Sequence, residues 1–128
     1  INAFREEGII ENARSLGTDV IGPRLREIAA KHPSVGDVRG LGVFWAVELV
    51  RDRETREPLV PYNAAGEAAA PMVAFAAACK ERGLWPFTHF NRTHVVPPCT
   101  TMYLCSPAAM FSTWLLATSP AWAFAAQG

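Results

Sequence analysis

Residues 35–50, VGDVRGLGVFWAVELV, decide the fold of this chain. Gly40 and Gly42 can take backbone angles that a Cβ forbids, and they read as a turn feeding the strand Val43–Val50, which is β-branched and aromatic. On this reading Arg39, Gly40 and Gly42 shape the turn between preceding helices and a sheet. Phe44 and Trp45 belong to the core, and Glu48 stands at the strand end with no partner that the sequence names. A second stretch, NRTHVVPPCT at 91–100, gives a short β segment over Thr93–Val96. It is stopped by Pro97 and Pro98, which cannot extend a ladder.

Working outward, Phe4–Ser15 reads as a helix, since Ile9, Ile10, Ala13 and Leu16 recur at helical spacing and Gly17 can cap its C-terminus. Thr18 or Asp19 then serves as N-cap of a second helix carrying Val20, Leu25, Ile28 and Ala29 on its apolar side. Pro23 is tolerated only near the first turn, and His32-Pro33 ends the helix. The charged run RDRETRE at 51–57 reads as a solvated hairpin or loop with mutual ion pairing, worth little in stability. A third helix is predicted from about Ala64 to Arg82, with Met72, Phe75, Ala76 and Cys79 at core spacing. Pro71 interrupts its first half and Gly83 stops it. Leu84–Phe90 and Thr93–Val96 are two further short strands. The sum is an α/β (α+β) domain: helices packed against a small, mostly antiparallel sheet.

A chain of 128 residues that is 50% hydrophobic has material for one domain with a real core. Its formal charge is zero, and its arginines are interleaved with acids, so no nucleic-acid partner is expected. Three cysteines, Cys79, Cys99 and Cys105, are an odd number without a CxxC pair, which argues against a disulfide framework or structural zinc and for a reducing cytoplasm. INAFREEG has no signal-peptide h-region and no initiator Met; the first Met is Met72. The expectation is that the N-terminus belongs to a longer parent.

All 24 Asp, Glu, Lys and Arg residues lie at or before position 92. The end, residues 102–128, is rich in Ala, Ser, Pro and Trp. Ala108–Ala126 approaches the roughly 20 apolar residues that span a bilayer. Pro120, several Ser and Thr, and the absence of flanking Lys or Arg argue against a span. A badly packed end is the expectation, with no membrane partner.

Taken in this order, the RGLG turn with its aromatic, apolar strand ending Glu48-Leu49 and the VVPP block resemble the C-terminal small domain of class III aminotransferases. These are fold-type I enzymes dependent on pyridoxal 5'-phosphate (PLP). The resemblance covers residues 1–101: two helices, HPSVGDVRGLGVFWAVELVRDRETREPL, a helix ending KERGL, and HFNRTHVVPPCTT. It implies a larger cytoplasmic parent, usually a homodimer. Such a parent transfers an amino group from an amine or amino acid to a 2-oxo acid or aldehyde. The Schiff-base lysine and the cofactor-binding groups lie in the family's large domain, so no catalytic, cofactor-binding or metal residue is assigned here. Lys31 and Lys80 sit late in amphipathic helices, where a lysine suits the dipole, and neither is taken as the Schiff-base lysine.

The family's small domain usually supplies an arginine for the substrate carboxylate just before the prolines, a task that suits a planar, bidentate guanidinium. Arg92 is the matching position, with Phe87 and His94 at alternative offsets. His89 and His94 suit a polar site mouth or ordinary strand positions, and His32, His89 and His94 lack the spacing of a metal site.

The departure from the family comes after residue 101, where relatives carry a Thr-x-x-Glu-type cap and a charged C-terminal helix. A reading-frame shift near codon 101 is the hypothesis for the atypical 102–128 segment; the same tail in frame in an independent clone would sink it. A reading from another class is a non-catalytic α/β interaction module whose hydrophobic tail anchors it to a membrane or partner.

Overall fold

The computed structural model describes residues 2–99. The expectations for 102–128, including the candidate span and the altered reading frame, lie outside the described residues. From the N-terminus come α1 (Asn2–Glu6), α2 (Ile9–Ser15), a π-helical turn (Leu16–Ile21) and α3 (Gly22–Lys31). Then follow β1 (Val35–Leu41), β2 (Phe44–Asp52), β3 (Glu57–Pro58), a 3₁₀ turn (Gly66–Ala69), α4 (Ala70–Glu81), β4 (Phe87–His89) and β5 (Arg92–Val95). The strands form an antiparallel sheet in the order β1-β2-β5-β4, with β3 paired to the end of β2. This is the predicted architecture of helices on a small antiparallel sheet.

Local details differ from the sequence reading. The first predicted helix is broken at Gly8, which takes φ 58, a left-handed conformation that costs glycine nothing. Gly17 is not a cap. It is buried inside a helical run that continues through the π-helical turn into α3, because the β1–β2 turn packs directly on it. Pro23 is the second residue of α3, directly after the π-helical turn and inside the continuous helical run, where it supplies no N–H to the ladder. The VGDVRGL segment is a strand rather than a turn: β1 pairs with β2 from Val35↔Leu49 to Leu41↔Phe44. Gly42 alone of the two proposed turn glycines has positive φ (+55), at the first position of the two-residue turn Gly42-Val43. Gly40 lies within β1, where a Cβ would fall 2.5 Å from the Phe44 carbonyl oxygen and 2.6 Å from Trp45 Cγ.

The sheet buries one face. Trp45, Val47 and Leu49 of β2 join Leu25 and Ile28 of α3 and Met72, Phe75 and Cys79 of α4 in the core. Trp45 is in the core as expected, but Phe44 is 56% exposed, because side chains alternate along a strand and its neighbour already faces inward. The predicted third helix begins regularly only at Ala70, with Pro71 in its first turn, and Gly83 (φ 79) follows its end. Of Leu84–Phe90 only Phe87–His89 pairs as a strand.

The charged run folds as a β2–β3 hairpin, and no ion pair among the described residues falls within it. Its side chains bind backbone instead. Asp52 Oδ1 accepts from the N–H groups of Glu54 (2.7 Å) and Thr55 (3.1 Å). The Arg53 guanidinium donates to the carbonyls of Val35 (2.8 Å), His32 (2.7 Å) and Ala29. It thereby satisfies carbonyls at and just after the C-terminal end of α3, where a cation is also favoured by the helix dipole.

Cys79 is fully buried in α4, and burial pushes its thiol up to about 11, against the opposing pull of Arg82. Folded Cys79 is therefore protonated at pH 8, while Cys99 is exposed. Iodoacetamide at pH 8 is expected to alkylate Cys99 and to reach Cys79 only after denaturant is added, as peptide mass mapping would read. Alkylation of Cys79 in the native chain would contradict this packing. Because the folded thiol's pKa lies above its unfolded value of 9.0, its contribution to stability is present below pH 9. It is lost as the pH rises towards 11.

Candidate functional site

The face of the sheet turned away from the helices carries the candidate chemistry. Alternation and register place side chains from all four long-path strands on it. In β1 these are Asp37, Arg39 and Leu41; in β2 they are Phe44, Ala46 and Glu48, paired with them as Leu41↔Phe44, Arg39↔Ala46 and Asp37↔Glu48. Across the other edge of β2, Glu48 faces Arg92 and Ala46 faces His94. In turn Arg92 faces His89 and His94 faces Phe87 on β4.

This face has an apolar and a charged end. At the apolar end His94 lies between Phe44 and Phe87, each ring centroid 5.4 Å from the imidazole. Its Nδ1 is buried with no hydrogen-bond partner among the described residues. Leu41, Phe44 and Phe87 are exposed around it, more apolar surface than scattered side chains would leave.

At the charged end Arg39 grips Glu48 with both guanidinium nitrogens, Nη2 to Oε1 at 3.1 Å and Nη1 to Oε2 at 3.2 Å, and also donates to Asp37. Two-point pairing of this kind fixes geometry as well as charge. The hydrogen bonds to Glu48, and then to Asp37, hold the guanidinium's pKa above its ordinary value. Glu48, which the sequence left without a partner, thus has one. Arg39, assigned by the sequence to a turn, is a strand residue that supplies it.

Arg92 opens β5 and is half-buried. Its guanidinium forms no ion pair or hydrogen bond with the described residues. The turn before it, Phe90-Asn91, is tied down: Leu49 donates its N–H to the Asn91 carbonyl (2.8 Å), and Asn91 Nδ2 donates to the Leu49 carbonyl (3.2 Å). Phe90 holds φ 54, uncommon for an aromatic residue, and its ring lies tilted against Tyr62 at 4.5 Å between centroids. A cleft of about 560 Å³ opens here, lined by Arg39, Glu48, Arg56, Tyr62, Phe90 and Arg92 among others. It offers Arg92's guanidinium beside an aromatic wall, an arrangement suited to a small organic carboxylate.

The structure therefore brings Arg92 and His89 together and sets Phe87 and His94 at the apolar end of the same face. His32 is elsewhere, at the end of α3. No group of three or more His, Cys, Asp or Glu among the described residues is placed to hold a metal ion. No described helix is long and apolar enough to cross a membrane. Asp37, Arg56, Tyr62 and Phe90 were not singled out from the sequence. Asp37 could have been, since with Arg39 it alternates along β1.

The described residues do not by themselves fit PLP. Lys31 is paired with Glu27 at 2.7 Å on α3, and Lys80 lies 4.2 Å over the Trp85 ring. Neither lines the cleft.

No protein-family model matches the chain. It is 34% identical over 112 residues to the taurine–pyruvate aminotransferase of Rhodobacter capsulatus, covering 88% of this chain and 22% of that enzyme. It is 41% identical over 58 residues to an ethanolamine-phosphate phospho-lyase homologue of Caenorhabditis elegans, covering 45% of this chain and 12% of that protein. Its fold matches the crystal structure of an amine transaminase from an uncultivated Pseudomonas species in the PLP-bound form. That match has a TM-score of 0.78 and 26% identity over 92% of this chain and 25% of the other. The chain spans between 11% and 22% of the length of the first curated relatives it matches.

Proposed function

From the premise that this chain is a small-domain piece of the aminotransferase family, we propose that it serves a PLP-dependent, class III parent enzyme. That parent moves an amino group from an amine or amino acid donor to a 2-oxo acid or aldehyde, with PLP as the electron sink. In this reading residues 1–101 are the small domain, and the parent is a cytoplasmic homodimer. The exposed apolar end of the sheet, around Leu41, Phe44 and Phe87, is the surface that a larger domain of the parent covers.

The role of this chain is to bind and orient substrate. Arg92 receives the substrate carboxylate, Tyr62 and Phe90 wall the cleft, and the Asn91–Leu49 hydrogen bonds hold the turn that aims Arg92. The observation that carries this reading is a half-buried arginine, without an ion-pair partner among the described residues, lining a cleft on the open sheet face. No described lysine reaches the cleft, so the chain alone is expected to be inactive.

Two measurements follow. The purified chain mixed with PLP should show neither a lysine-aldimine absorbance band nor transamination; turnover by the chain alone would refute the division of labour. In the full-length parent, Arg92→Ala should raise the KM for a keto-acid acceptor by roughly a hundredfold. That is the size of one charge-assisted, two-point contact at about 2–3 kcal/mol. An aldehyde acceptor, lacking the carboxylate, should be little affected. Equal losses for both acceptors would show that Arg92 does not read the carboxylate.

A further inference from the structure

Glu48 stands between two arginines on one sheet face. Arg39 reaches it from β1 with both nitrogens, while Arg92 is its direct cross-strand partner on β5. Directly opposed residues of antiparallel strands place their Cβ atoms about 5 Å apart, within easy reach of an ion pair between Glu and Arg. Yet Glu48 is engaged by Arg39, and Arg92 makes no ion pair with the described residues. Asp37, on the same strand, accepts a further hydrogen bond from Arg39, so Arg39 is anchored by two carboxylates.

We infer that Arg39 is a positioning residue: by holding Glu48 it keeps the Arg92 guanidinium unpaired and available to an incoming carboxylate. This deepens the proposed function and rests on it for the identity of the anion, but the exchange of partners can be read without any ligand. With Arg39 removed, strand register leaves Arg92 directly opposite Glu48, with Arg56 also lining the cleft, and a Glu48–Arg92 pair would compete with any carboxylate entering it. A merely structural role for Arg39 makes a different demand, because loss of a partly exposed ion pair would leave Arg92 as it is.

The test uses the 128-residue chain and the Arg92 Nε–Hε signal in ¹H–¹⁵N spectra, assigned with Arg92→Lys. In Arg39→Met this signal is expected to shift and its solvent exchange to slow, as Glu48 pairs with Arg92. In the double variant Arg39→Met/Glu48→Gln it is expected to return to the wild-type position. Pyruvate is the probe for the anion: its Kd should weaken about tenfold in Arg39→Met, the scale of one charge-assisted hydrogen bond redirected. The double variant should recover it to within about twofold.

An unmoved Arg92 signal in folded Arg39→Met overturns the inference, as does failure of Glu48→Gln to restore the signal. Should Arg39→Met not fold, Arg39→Gln, which keeps a polar side chain on this exposed face but has no charge to hold Glu48, is expected to shift the signal in the same direction. No shift there overturns the inference equally. Pyruvate binding that survives Arg92→Ala would instead sink the carboxylate reading of Arg92, and the partner exchange would still be decided by the guanidinium signal.

Discussion

Replacing Gly17 by alanine is expected to destabilise the fold by roughly 2–4 kcal/mol, although alanine is the better helix former by about 1 kcal/mol. Two effects of opposite sign meet at this position. Gly17 lies in the π-helical turn with its Cα against the backbone of the β1–β2 turn. An added Cβ would sit 2.7 Å from the Gly42 carbonyl carbon and 2.9 Å from its Cα, and nearer still to the carbonyl oxygen. Backbone at a positive-φ turn cannot swing aside as the end of a long side chain can, so the helical run and the hairpin must separate. Packing strain then outweighs propensity. Against the roughly 5–15 kcal/mol that stabilises a typical domain, this is a large share. Urea denaturation followed by far-UV circular dichroism measures it. Gly8→Ala is the control: Gly8 has positive φ but no atom within 4 Å of its would-be Cβ, and only the conformational cost of about 1–2 kcal/mol applies. A Gly17→Ala midpoint equal to or above wild type would show that the two elements do not pack as described.

Trp45→Ala is expected to cost about 3–5 kcal/mol, the range for emptying a large buried aromatic site. The indole is 5% exposed and its surroundings are shaped around it. A Cβ at Gly22 would approach its Cη2 to 2.7 Å, and Gly40 leaves room on its other side. Nε1 donates to the Gly42 carbonyl at 2.7 Å, and the Arg26 guanidinium lies 5.7 Å over the ring. One side chain thus joins α3, β1, β2 and their turn. Trp45→Phe keeps most of the apolar contact and loses the hydrogen bond, so about 1 kcal/mol is expected from it. Thermal or urea melts of the pair separate packing from hydrogen bonding. A loss below about 1 kcal/mol for Trp45→Ala would mean that the site collapses without penalty.

Much of the fold could be read from local pattern. Leu25 and Ile28 lie on the buried side of α3, and Met72, Phe75 and Cys79 on that of α4, as their spacing implies. Gly83 ends a helix because left-handed backbone favours glycine. What failed were positions where a local rule met a tertiary contact. Gly17 has the composition of a cap but is needed for close approach. Gly40 has the composition of a turn but is a strand residue beside an indole. Phe44 is apolar but falls on the open face, since the period of two leaves it no choice once Trp45 points inward. Arg53, taken for part of a mutually paired charge run, is spent on carbonyls around the end of α3.

The sequence by itself determined the main helices, the strand β2 and the short strands after α4, the antiparallel α+β architecture and the family resemblance, but not the strand β1. These rest on periodicity, glycine and proline chemistry, and short blocks in order along the chain. It also singled out Arg92. Only the tertiary structure decided that Asp37, Arg39, Glu48 and Arg92 share one face, and which arginine holds Glu48. The β1–β2 register follows from a two-residue turn, but the β2–β5 register joins segments far apart in the chain. It is set by the burial of Val47 opposite Thr93 beneath the helices. A one-residue slip there would turn Arg92 into the core, and burial of an unpaired charge forbids it.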